Sequence, residues 1–272
     1  MTKRELYIEK IKSFIDKDII KVLTGIRRSG KSVMLKLIME ELKQNGIDEK
    51  QFININFENL INRELTTADK LDKYILKRAS EIKNKCYIFL DEIQEVKDWE
   101  KCINSLRVNE EYNFDIYITG SNAKLLSGEL STYLAGRYVE FVIYPFSFKE
   151  FLDTLKSIQQ SISIREAFQK YIKFGGMPFL YNLAFEEEPS LQYLKDIYSS
   201  IILKDITQRN KIRDTDLLER VINYLTISSK KSPTSISRGW IAFLVSWNCF
   251  KNMIWLNQLK IIKKSIFGVE VI

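Results

Sequence analysis

Gly25-Ile26-Arg27-Arg28-Ser29-Gly30-Lys31-Ser32 directly follows the apolar run Ile19-Ile20-Lys21-Val22-Leu23-Thr24 and leads into the helical pattern Val33, Leu35, Leu37, Ile38, Leu42. The spacing G-x-x-x-x-G-K-[ST] between a strand and a helix predicts a phosphate-binding loop. Gly25 and Gly30 permit backbone turns that a Cβ would block, so that successive N–H groups from Gly25 through Ile26, Arg27, Arg28, Ser29 and Gly30 cradle the β- and γ-phosphates. The positive end of the following helix adds to this field. Lys31 then reaches the phosphates as a point charge, and the Ser32 hydroxyl is a ligand for Mg²⁺.

A second stretch completes such a site. Cys86-Tyr87-Ile88-Phe89-Leu90-Asp91-Glu92 is a continuous apolar run that ends in acids. A buried parallel strand reads this way when its carboxyl end reaches a ligand crevice. Asp91 is the expected Mg²⁺ partner through its water shell, and Glu92 the acceptor of a proton from the water that attacks the γ-phosphate. A third strand, Phe114-Asp115-Ile116-Tyr117-Ile118-Thr119, closes on Gly120-Ser121-Asn122. Asn122, or Ser121, is placed there to position the water, or else simply caps the next helix. Arg137 precedes the strand Tyr138-Val139-Glu140-Phe141 and is a candidate to neutralise charge on the transferring phosphoryl group, in cis or across a subunit boundary.

Composition narrows the chemistry. The 272 residues, 45% hydrophobic and 28% charged, have the balance of one or two soluble globular domains. Histidine is absent, which excludes His acid–base catalysis, Ser-His-Asp triads and His-ligated metals. Cys86, Cys102 and Cys249 stand far apart, against a disulfide framework or a zinc site. The start Met1-Thr2-Lys3-Arg4-Glu5 reads as a charged helix over residues 3–16 rather than a signal peptide, so a cytoplasmic location with no membrane partner is expected. A net charge of +7 is compatible with a DNA partner without requiring one.

Beyond residue 150 helical periodicity dominates, in Phe151–Ile158, Ile164–Phe174, Leu191–Ile206 and Leu217–Ile227. Three domains are expected: 1–150 as a phosphate-loop ATPase domain, 151–237 as a helical region with a possible winged-helix character, and 238–272 as an atypical tail. That tail holds Trp240, Trp247 and Trp255 with Glu270 as its only acid, and it reads as an out-of-frame or truncated end.

Gly25 to Ser32, Tyr87 to Glu92 followed by Ile93-Gln94 and Trp99, Thr119-Gly120-Ser121-Asn122, Gly136-Arg137 and Tyr144-Pro145-Phe146-Ser147-Phe148-Lys149-Glu150-Phe151 together resemble the AAA-type ATPases of bacteria and archaea in the AAA_14 and DUF4143 family. The likeness continues through Phe174-Gly175-Gly176-Met177-Pro178 and Leu203-Lys204-Asp205-Ile206. It implies an ATPase domain, a helical region and a C-terminal domain related to restriction-endonuclease-like folds, whose catalytic residues match no motif here.

The expected fold is therefore α/β: a P-loop NTPase of AAA/ASCE type, with a parallel sheet flanked by helices and a mainly helical region after it. The expected function is Mg²⁺-dependent ATP binding and hydrolysis driving a conformational change, in a possible homo-oligomer with a DNA or protein partner. The rivals are a small-molecule kinase, a non-hydrolysing nucleotide-binding regulator on DNA, and a damaged copy lacking its output domain.

Overall fold

A computed structural model describes residues 3–120, 134, 136–158, 161–200 and 220. The chain divides into two compact units, one of Met1–Thr154 with Met177–Phe179, the other of Leu155–Gly176 with Leu180–Ile272.

In the first unit, β1 (Ile20–Thr24), β2 (Phe52–Asn56), β3 (Cys86–Asp91), β4 (Phe114–Thr119) and β5 (Tyr138–Val142) form one sheet in the order β2-β3-β4-β1-β5. Every pairing is parallel, with Val22 opposite Ile118 and Glu140, and Ile88 opposite Ile53 and Ile116. Parallel strands require helical crossovers that cover both faces. Here α1 (Glu5–Lys12) and α2 (Lys31–Gln44) cover one face, and α3 (Ala68–Ala79) and α4 (Trp99–Arg107) the other.

The two-residue period of the strands sorts their side chains between these layers. Ile53, Ile55, Ile88, Leu90, Ile116 and Ile118 pack with Leu71, Ile75, Trp99 and Ile103 of α3 and α4. The alternate residues Phe52, Tyr87, Phe89 and Tyr117 pack with Ile11, Met34, Ile38 and Leu42 of α1 and α2. This second layer is aromatic, with Phe89 stacked on Tyr117 at 4.9 Å and Phe52 edge-on to Phe89 at 5.7 Å.

The first helix is shorter than the 3–16 span expected from periodicity. It ends at Lys12, and the chain passes through short turn bonds, Phe14 N–H to Ile11 O and Ile15 N–H to Lys12 O, to Asp16 at φ 63°. Asp16 accepts this left-handed backbone because its carboxylate receives Tyr87 O–H at 2.9 Å while its own N–H reaches Asp115 at 2.9 Å. The turn is needed to redirect the chain into β1.

The second unit is helical where described. α6 (Ile164–Phe174) begins at a capping box in which Ser163 and Glu166 satisfy each other's backbone N–H groups, and it ends at Gly175 with φ 71°. α7 (Glu187–Ser200) is linked to it by Lys173–Glu187 at 2.6 Å. α5 (Phe148–Ile158) precedes both in the chain, its residues up to Thr154 belonging to the first unit. Arg220 aside, the expected helix 217–227 and the tail from 238 lie outside the described residues.

Candidate functional site

All five strands run the same way, so their carboxyl ends share one edge of the sheet. The phosphate loop leaves β1 at that edge, Asp91 ends β3 there, and Thr119 ends β4, which lies between β1 and β3. This is where a parallel α/β sheet offers a ligand crevice.

The loop has the backbone that its glycines imply. Gly25 has φ +151°, Arg28 φ 62° and Gly30 φ +99°. A Cβ on Gly25 would lie 2.3 Å from the Ile143 carbonyl oxygen and 2.8 Å from Ser29 Oγ, so the loop is packed too closely there for any side chain. Ser29 is buried and its Oγ has no hydrogen-bond partner among the described residues, whereas Arg27, Arg28 and Ser32 are exposed. Ile26 is half-buried. Lys31 opens α2 and is 4% exposed, with Nζ donating to Gly25 O and Ile26 O at 3.4 Å each.

The acids meet this lysine from β3. Glu92 Oε1 is 3.7 Å from Lys31 Nζ, and Glu92 Oε2 accepts from Gln94 Nε2 at 2.5 Å. Glu92 sits in left-handed backbone, φ 59° and ψ 47°, a conformation that costs a non-glycine residue roughly 1 kcal/mol and turns the chain sharply out of the strand. Its N–H donates to Thr119 Oγ1 at 3.0 Å.

Asp91 is buried and held by neutral donors. Thr119 Oγ1 donates to Oδ1 at 2.5 Å and Asn56 Nδ2 to Oδ2 at 2.9 Å. Each carboxylate oxygen keeps lone-pair capacity for a water. Among the described residues no cluster of three or more His, Cys, Asp or Glu stands ready for a metal. The Ser32 hydroxyl and the Asp91 carboxylate are hard oxygen donors, the chemistry that suits Mg²⁺ beside phosphate oxygens and water.

Thus Lys31, Asp91 and Glu92 are brought together, with the loop Gly25–Ser32 beside them. Asn122, and its competitor Ser121, lie outside the described residues. Arg137 does not join the site of its own chain. It precedes β5, its carbonyl accepts from Ile20 N–H at the start of β1, and its exposed guanidinium donates to Asn104 at 2.8 Å. The phosphate loop leaves the other end of that strand, roughly 16 Å away at ~3.3 Å per residue. The strand direction thus sets Arg137 at the opposite end of β1 from the phosphate loop of the same chain.

Thr119, Asn56 and Gln94 were not expected in the site. The only sequence signal for the first two is a polar residue closing an apolar or alternating strand, and for Gln94 its position just after the acid pair. A cavity of about 440 Å³ opens elsewhere, lined in part by Asp16, Asp18, Lys85 and Arg107 near the strands' amino ends. A phosphate cradle of backbone N–H groups needs no such enclosed pocket.

No helix among the described residues is long and apolar enough to cross a membrane.

Comparison with known proteins agrees with this architecture. The chain is 41% identical over 240 residues to an uncharacterized protein of Haemophilus influenzae, covering 87% of this chain and 59% of that one. It is 36% identical over 214 residues to the uncharacterized protein MJ1544 of Methanocaldococcus jannaschii, covering 76% and 46%. The chain thus spans about half the length of the curated relatives it matches. In fold it is similar to the Walker-type ATPase PABY2304 of Pyrococcus abyssi, with a TM-score of 0.53 at 17% identity over 91% of this chain and 89% of that one. Residues 165–264 match a domain of unknown function, DUF8612. Residues 17–152, half of the chain, match the AAA domain model AAA_14, and the chain belongs to that family of P-loop proteins.

Proposed function

We propose that the chain binds ATP with Mg²⁺ and hydrolyses it, using the loop Gly25–Ser32 for the phosphates and Glu92 as the general base. The observation that carries this reading is the meeting of Lys31 and Glu92 across two strand ends, 3.7 Å apart, beside a buried Asp91. Lys31 exchanges Glu92 for the β- and γ-phosphates when nucleotide arrives, which frees Glu92 Oε1 to take a proton from water. Ser32 and Asp91 are the residues that would hold Mg²⁺, whose charge offsets that developing on the phosphoryl oxygens. Asn122 is assigned to orienting the water. Arg137, far from its own loop, is assigned to the site of a neighbouring copy, which makes a homo-oligomer part of the proposal.

Several coarser assignments accompany it. The ATPase domain is taken as 1–150 and the helical region as 151–237, with a cytoplasmic location and an unidentified DNA or protein partner. The tail from 238 is kept as a third segment, and the DUF8612 match runs through it to residue 264.

The test of activity is steady-state ATP hydrolysis with Mg²⁺ by the purified chain, beside Lys31→Ala and Glu92→Gln, with ATP binding measured for each. Turnover by the native chain, lost binding in Lys31→Ala, and binding without hydrolysis in Glu92→Gln are expected. ATP binding with no turnover by the native chain replaces this reading with that of a nucleotide-binding regulator or a damaged copy.

A further inference from the structure

Arg4 stands in Met1-Thr2-Lys3-Arg4-Glu5, where composition points to a solvated segment, yet it is only 2% exposed. A guanidinium leaves water at great cost unless its donors are satisfied, and each branch here has an acceptor. Nε donates to Glu150 Oε1 at 2.8 Å and Nη2 to Tyr144 O at 2.8 Å, while Nη1 donates to the carbonyl of Ser29 at 3.3 Å. The rings of Tyr7 and Phe146 flank the group, with centroids 4.5 and 5.4 Å away. Glu150 is itself fixed, accepting from Ser147 N–H at 2.8 Å and Ser147 Oγ at 3.0 Å.

The contact with Ser29 ties this clamp to the phosphate loop. In a planar trans peptide the carbonyl and the following N–H point in opposite directions, and no described peptide bond is cis. Drawing the Ser29 carbonyl toward Arg4 therefore turns the Gly30 N–H away from it. Arg4 Nη1 also lies 4.0 Å from where a Gly30 Cβ would stand, so the guanidinium backs directly onto this turn.

We propose that Arg4 is a positioning residue of the phosphate loop: held by Glu150, it fixes the Ser29–Gly30 peptide so that the Gly30 N–H faces the bound phosphates. Glu150 neutralises the Arg4 charge, so the effect is exerted through backbone orientation and not through attraction of the nucleotide. The proposal rests on the ATP reading above and names a residue outside the matched 17–152 segment.

The experiment titrates the full chain with a fluorescent ATP analogue in Mg²⁺, well below the unfolding temperature, for wild type, Arg4→Lys, Glu150→Gln and Lys31→Ala. Arg4→Lys keeps the charge and loses the fork. Losing one charge-assisted bond predicts about ten-fold weaker binding for it, with a smaller loss in Glu150→Gln. By linkage, saturating analogue also raises the unfolding midpoint of Arg4→Lys less than that of wild type. A clamp that serves stability alone lowers the midpoint of both variants yet leaves their affinity at the wild-type value, and that result overturns the proposal. Should Arg4→Lys not fold, the Glu150→Gln affinity decides it in the same way. No binding by wild type overturns the ATP reading itself, a failure distinct from normal binding by wild type and both clamp variants.

Discussion

Gln94 Nε2 donates to Glu92 Oε2 at 2.5 Å, while Lys31 Nζ stands 3.7 Å from the other oxygen of the same carboxylate. The two contacts differ in fate once phosphates occupy the loop. On the proposed function Lys31 turns to the phosphates, while Gln94 keeps its oxygen and so fixes the direction of the freed one. Gln94→Ala is expected to lower kcat about ten-fold, within the range set by misplacing a general base, with ATP affinity changed less than about two-fold. An unchanged kcat in Gln94→Ala, at normal stability and normal ATP affinity, sinks this role for Gln94.

Thr119 serves both acids at once, donating to Asp91 Oδ1 and accepting from Glu92 N–H. Thr119→Val keeps the shape and leaves both groups short of a partner, at a cost of about 1–3 kcal/mol each when buried. We expect a lower unfolding midpoint and a raised Mg²⁺ requirement for hydrolysis. Unchanged Mg²⁺ dependence at normal stability would show that Asp91 needs no such support.

Gly25 and Gly46 both have positive φ, but only Gly25 is crowded. Its Cβ would meet the Ile143 carbonyl at 2.3 Å, whereas a Cβ on Gly46 meets nothing within 4 Å. Gly46→Ala should cost about 1 kcal/mol of backbone strain and leave nucleotide affinity intact. Gly25→Ala forces the loop and the segment after β5 apart and should abolish binding. Nucleotide titration with circular dichroism separates the two, and equal affinity in both variants contradicts the steric argument.

Much of this architecture is legible in the sequence because it is local. The Gly25–Ser32 spacing, the apolar run Cys86–Leu90 and the alternation in Phe52-Ile53-Asn54-Ile55 each specify an element from neighbouring residues. Arg4 was not legible, because its partners Ser29 and Glu150 are 25 and 146 positions away and a single Arg among charges looks solvated. Arg137 was legible only as a strand start. Its distance from the phosphate loop follows from β5 running parallel to β1, a fact of strand order that no local pattern contains.

The Arg4–Glu150 clamp gives stability a defined pH dependence. Burial alone would raise the Glu150 carboxyl, but the Arg4 hydrogen bonds, the Ser147 N–H and the Arg4 charge outweigh it and hold the group below its ordinary value of 4.5. A carboxyl whose folded value is depressed adds stability above its unfolded value and loses it as pH falls through the folded one. The stability difference between wild type and Glu150→Gln should therefore be constant near neutrality and shrink as pH drops below 4.5. Urea unfolding across that range checks this, and a difference that persists undiminished in strong acid contradicts it.

Lys21 and Asp115 form an ion pair between β1 and β4 with both side chains fully buried. Asp115 also accepts Tyr117 O–H at 3.0 Å and the Asp16 N–H at 2.9 Å, and Lys21 Nζ donates to Lys17 O at 2.9 Å. The pair thus sits in a satisfied network that joins the turn before β1 to the aromatic layer of the sheet. Removing one partner strands a charge in the core, so Lys21→Met should destabilise the fold by about 3–5 kcal/mol. Asp115→Asn added to it neutralises that stranded charge while keeping an oxygen for Tyr117, and should recover part of the loss. Chemical unfolding of the single and double variants measures the coupling directly. If the double variant is less stable than Lys21→Met, the cost lies in the hydrogen-bond geometry of Asp115 rather than in its unpaired charge.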